Sequence, residues 1–174
     1  MRALFFCATA GVMTSALPIA AQGPGIEGFG PFRFGISPDE LMQIAPVETR
    51  MSPDRPERGV WYELSDKIDA FGEAHTATFM FDGADMLEGI MLDRVTELSD
   101  EACSLEFESR LAQVEDIFGP SDAPARRTVD FDIIKTTRTS LTQADGTQLR
   151  LAALHINDCR VTLSFWNASI DLYN

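Results

Sequence analysis

The chain has 174 residues, 14 of them basic and 27 acidic, for a net charge of −13. That length suits one domain with a sizeable core. Its acidic surface repels phosphate backbones and anionic head groups, which disfavours nucleic acid and membrane surfaces as partners.

The first residues read as an address. Arg2 gives a positive start, Ala3 to Met13 is an apolar run, and Thr14 to Ala21 holds small residues around Pro18. This is the order of a secretory signal peptide over residues 1–21, with cleavage expected after Ala21. The apolar run is too short to span a bilayer. Cys7 is followed by Ala8 inside that run, so no cysteine stands first in the mature chain to carry a lipid. Removing those 21 residues, Arg2 among them, leaves 153 residues with 13 basic against 27 acidic side chains. The expectation is a soluble periplasmic protein with no direct membrane insertion after cleavage.

Residues 22–30 are expected to be a flexible mature N-terminus. Gly23, Gly25 and Gly28 match the G-x-G-x-x-G spacing of a dinucleotide site. That fingerprint needs a strand before it and a helix straight after its last glycine. Neither fits a stretch that begins at the cleavage site and has its first helix start at Ser37, so no cofactor is expected. A single domain is expected over 31–174, with halves 31–97 and 98–174.

Ser37-Pro38-Asp39-Glu40 opens a helix, with Ser37 as N-cap, proline at the first position and Glu40 closing a capping box. Leu41, Ile44 and Ala45 form its apolar face, and Pro46 stops it. Residues 50–59 read as a proline-broken loop. Strands are predicted over Val60 to Leu64, Ala74 to Phe81 and Met86 to Val95, the last two joined at Asp82-Gly83. A second helix runs from Ser99 or Asp100 to Gly119-Pro120, with Cys103, Phe107, Leu111, Val114 and Phe118 on one face. Val129, Phe131 and Ile133 alternate with Asp130 and Asp132 as a half-buried strand. Thr136 to Thr142 continues it as an edge. Asp145-Gly146 turns the chain into Leu149 to Ile156, and Cys159 to Trp166 closes it.

These elements predict an α+β fold in two layers, with both helices on one face of an antiparallel sheet. Helix caps at Ser37 and Asp100 share one offset with the turns at Asp82-Gly83 and Asp145-Gly146. That offset suggests a degenerate tandem repeat of one helix plus three strands. Cys103 on the helix stripe and Cys159 on the inward phase of the last strand point into the same interior. In an oxidising compartment they are expected to form a disulfide.

Phe34-Gly35-Ile36-Ser37-Pro38-Asp39-Glu40-Leu41 resembles the helix opening of small bacterial envelope proteins of the SmpA/OmlA type and the related β-lactamase-inhibitor-protein fold. Phe118-Gly119-Pro120 is similar to the motif that ends such helices. The resemblance implies a short helical segment before three antiparallel strands, carried twice in the inhibitor proteins. It further implies a role in binding proteins in the envelope, not in catalysis.

Little else signals chemistry. His75 and His155 each share phase with apolar neighbours and read as buried or boundary histidines. Paired with a carboxylate, they are the candidates for a small periplasmic hydrolase. No G-x-S-x-G nucleophile motif occurs, and Asp82-Gly83-Ala84-Asp85 lacks the calcium-loop spacing. No metal site is expected. Trp61-Tyr62 places neighbouring rings on opposite strand faces, and Trp166 falls on the polar phase of the last strand. Trp61, Tyr62 and Trp166 are therefore the candidate anchors for an envelope protein or peptide. A purely structural envelope component is the third reading.

Overall fold

The computed structural model describes residues 26–51, 60–119, 127–131, 134–142 and 146–167. The expected signal peptide, residues 22–25 and the C-terminal tail lie outside the described residues.

The first described element is a hairpin of β1 (Gly28–Phe29) and β2 (Phe32–Arg33). Within the segment expected as a mobile lead-in, Ile26 and Phe29 pack against the core. Phe29 meets the Phe165 ring at 5.6 Å, and Phe32 meets Phe79 at 4.6 Å. Gly28 takes φ +146, and a side chain there would collide with the Phe32 carbonyl oxygen. Its absent side chain serves a tight hairpin.

Helix α1 (Pro38–Ile44) starts as its residues dictate. The Ser37 backbone N–H donates to Glu40 Oε2 at 2.8 Å, and the Glu40 N–H donates to Ser37 Oγ at 3.3 Å. The helix is only seven residues long, so just one of its turns meets the core. Leu41 is fully buried, whereas Ile44 is exposed despite its expected inward phase.

Nine strands follow. They are β3 (Val47–Met51), β4 (Val60–Leu64), β5 (Ile68–Ala70), β6 (Glu73–Phe81) and β7 (Leu87–Thr96), then, after α2 (Asp100–Phe118), β8 (Arg127–Phe131), β9 (Ile134–Thr142), β10 (Gln148–His155) and β11 (Cys159–Trp166). Their order in the sheet is β3-β4-β6-β7-β11-β10-β9-β8, with β5 added beside β6. Every pairing in it is antiparallel. The two meanders meet at β7 and β11, which come from different halves of the chain.

This corrects the α+β expectation. Among the described residues the protein is β-rich, built on one nine-stranded sheet with two helices, and those helices do not form a second layer. Only α2 lies along the sheet, against β9, β10 and β11. Over β6 the Phe32 ring of the hairpin packs on Phe79, and Leu41 of α1 joins the same core. Each half contributes four strands to the main path, not three. The missed strand β3 was hidden because an edge strand with exposed Glu48 and Thr49 shows little hydrophobic alternation. The run from Val129 to Thr142 splits into β8 and β9, and β8 is the edge. Thr137 and Thr139 of β9 are consequently buried on the α2 side.

One face of the sheet carries nearly the whole core. Ala77 and Phe79, Ile90 and Leu92, Leu149 and Leu151, and Val161 and Leu163 all point there. A bulge at Met80/Phe81 leaves Glu88 as the extra residue on β7. That bulge lets both Leu87 and Ile90 turn inward although they are three apart. Cys103 of α2 and Cys159 of β11 form the expected disulfide, with Cα atoms 5.4 Å apart.

Candidate functional site

The opposite face of the sheet has no helix over it among the described residues. Directly paired residues on an antiparallel sheet share a face. Trp61 pairs with Met80, Met80 with Gly89, and Gly89 with Trp166. Two tryptophans thus stand in one cross-strand row, on β4 and β11, with a methionine and a glycine between them. Trp166 occupies the space over Gly89. A Cβ on that glycine would sit 2.7 Å from Trp166 Cζ3 and 3.0 Å from the Met80 methyl.

Both tryptophans are half-buried, and Met80 is enclosed. The next row runs through Thr78, Met91, Ser164 and Arg150. Trp166 Nε1 is enclosed without an acceptor among the described residues. Such an unmet donor costs about 1–3 kcal/mol and makes the resting ring position a poor one for that group. Tyr62 lies elsewhere: it pairs with Phe79, and its ring meets Phe81 edge-on at 5.3 Å on the core side. Of the three aromatic candidates, the fold unites Trp61 and Trp166 and turns Tyr62 inward.

The two histidines are not brought together. Strands β6 and β10 do not pair, because β7 and β11 lie between them. The His155 Nε2–H donates to the Leu98 carbonyl at 3.0 Å. His75 is buried, and its Nδ1–H donates to the Glu73 carbonyl at 2.9 Å. Burial pushes the His75 imidazole below its ordinary value; the Glu73 carbonyl opposes this, and the Arg110 and Arg94 charges reinforce it.

Beside His75 is a cluster that sequence reasoning missed. Arg110 occupies the buried stripe of α2, where its guanidinium donates to Glu73 and, at 3.0 Å, to Gln113 Oε1. It also lies 5.1 Å from the Phe71 ring centre. Arg94 bridges Glu73 at 3.1 Å and Glu106 at 2.8 Å. Phe71 holds φ +57 in the β5–β6 turn, an uncommon conformation for a bulky residue. Its ring gains the Arg110 stack and an edge contact with His75 at 6.4 Å. Two arginines and two carboxylates neutralise one another here, so neither acid is a free base. The arrangement ties α2 to β6 and β7. A buried arginine on a helix stripe leaves no signal in hydrophobic periodicity, which is why it was not foreseen.

Among the described residues, no group of three histidine, cysteine or acidic side chains is placed to hold a metal ion. No described helix is long and apolar enough to cross a membrane. Fold and surface together define, among the described residues, a β-rich protein with one packed sheet face and one face that carries two tryptophans in a single cross-strand row. No family model, curated protein or solved structure matches the chain.

Proposed function

We propose that this is an exported periplasmic protein that binds a protein or peptide partner in the cell envelope through the helix-free face of its sheet. The observation that carries this reading is the row of Trp61, Met80, Gly89 and Trp166, with both indoles partly exposed on one sheet face. Tryptophan, methionine and arginine are the residue types enriched at protein interfaces, and all three stand on this face. The envelope setting rests on the signal-like segment 1–21 and on the helix opening that resembles SmpA/OmlA proteins.

Capture of envelope proteins by the tagged chain, compared with the Trp61→Ala/Trp166→Ala double variant, tests the reading. A partner retained by the native chain and lost by the variant, at unchanged urea midpoint, is the expected result. Equal capture by both sinks it. An intact mass of the secreted form that does not begin at Gln22 counts against export with cleavage after Ala21.

A further inference from the structure

The tryptophan row is one end of a surface whose other end is cationic. Arg138 on β9, Arg150 on β10 and Arg160 on β11 all share its face. Ala152 pairs with Arg138 on one side and Thr162 on the other, Arg150 precedes Ala152 by two residues, and Arg160 pairs with Leu154. Three arginines therefore surround one small side chain. The diagonal pair Arg138 and Arg150 is about 8 Å apart by cross-strand geometry.

These arginines differ from three others whose side chains are described. Arg33, Arg94 and Arg110 each hold a carboxylate, as does Lys135. The side chains of Arg138, Arg150 and Arg160 have no ion pair or hydrogen bond among the described residues. Arg138 and Arg160 are exposed and Arg150 is half-buried. The acids of this face stand apart, with Glu48 and Glu63 at the β3–β4 end. Asp93 is nearer but already accepts from the Thr162 hydroxyl. In a chain of net charge −13, an uncompensated cluster of three cations is a local reversal of sign.

We infer that this cluster receives the carboxylates of an acidic peptide segment of the partner, while apolar side chains of the same segment seat on Trp166 and Trp61. The inference rests on the sheet-face reading above and names the chemistry of what docks there. Arginine suits the task because its planar fork pairs with a carboxylate through two hydrogen bonds. The chain has only two lysines: Lys135 stands on the opposite phase of β9, and Lys67 lies outside the strands. A densely charged polyanion is a poorer fit, because the acidic remainder of the molecule repels it at longer range. A short acidic cluster meets the arginines without that cost, and the opposed charges steer its approach.

The test is selection of random peptides displayed on phage against the oxidised full chain. Selected peptides are then measured on the triple variant Arg138→Gln/Arg150→Gln/Arg160→Gln and on Trp61→Ala/Trp166→Ala. The expected result is peptides that combine acidic with aromatic or aliphatic residues. Their affinity falls by about tenfold or more on the triple variant, and also weakens with added salt. Peptides without acidic enrichment that lose only the tryptophan variant overturn the carboxylate role and leave the sheet-face reading standing. No enrichment, or binding indifferent to both variants, overturns both. Self-association of the native chain abolished by the triple variant makes the occupant a second copy, and this also overturns the inference. Circular dichroism and urea midpoints of both variants separate these results from misfolding.

Discussion

Trp166 stacks over Gly89, its direct partner across β11 and β7, so closely that the glycine has no room for a methyl group. A glycine in a central strand weakens the strand by itself; here an aromatic ring from the neighbouring strand fills the gap. The position of the indole is thus set by the absence of a side chain opposite it.

Gly89→Ala should push the Trp166 ring off its seat. The expected cost is about 1–3 kcal/mol of stability, the usual range for overpacking. Tryptophan fluorescence should shift, and partner affinity should fall as it does in Trp166→Ala. An unchanged emission spectrum would show that the ring does not depend on the glycine.

Arg110→Ala should be among the most damaging single changes on α2. It strips a buried cation from Glu73 and Glu106 and leaves Arg94 to neutralise both. Breaking a buried pair from one side costs about 3 kcal/mol or more. A double-mutant cycle with Glu73→Gln should recover part of that loss, because the carboxylate left behind is then neutral. Urea unfolding of the four chains measures the coupling, and additive losses would argue against a shared network.

The Cys103–Cys159 bond spans 56 residues, a loop whose closure is worth about 4 kcal/mol in the chain-entropy picture. Reduction, or replacement of both cysteines by Ser, should lower the urea midpoint accordingly. Because the bond joins α2 to β11, hydrogen exchange should rise first along α2. Loss spread evenly over β3 and β4 would be inconsistent with that placement.

His75 makes stability depend on pH. Burial holds its folded pKa below the ordinary 6.5, so the unfolded chain takes up a proton first as the pH falls. Stability from this site is complete above that value and declines as the pH drops through it, levelling off below the folded pKa. Glu88 acts with the opposite sign in a more acidic window. Its carboxyl is raised above 4.5, mainly by burial and then by Asp82, so its contribution fades as the pH rises. His75→Gln should remove the slope near neutral pH and keep the acidic one. Persistence of the neutral slope in that variant would assign it to another group.

Local chemistry was readable from the chain alone. The capping box at Ser37 and Glu40, the second helix, the Asp82-Gly83 turn and the shared interior of Cys103 and Cys159 all follow from short-range pattern. These features depend on residues a few positions apart, or on one clear periodicity. The alternation of β11 likewise placed Trp166 on the polar face before any partner strand was known.

Fold class, by contrast, turned on strands with weak signals. β3 and β5 are short, and β9 buries threonines where the pattern suggested an edge. The count of strands made the protein β-rich where α+β was expected. Which of Trp61 and Tyr62 faces outward was equally undecidable from adjacency, since the register against β6 makes that choice.

Sequence alone determined the helix ends, the disulfide and the two phases of the last strand, because each is written within one element or by one strong periodicity. Only the tertiary structure decided that β7 and β11 pair at the centre. That pairing separates His75 from His155, seats Trp166 on Gly89 and gathers three arginines around Ala152. Strand order and register are set by contacts between distant segments, and no single segment carries them.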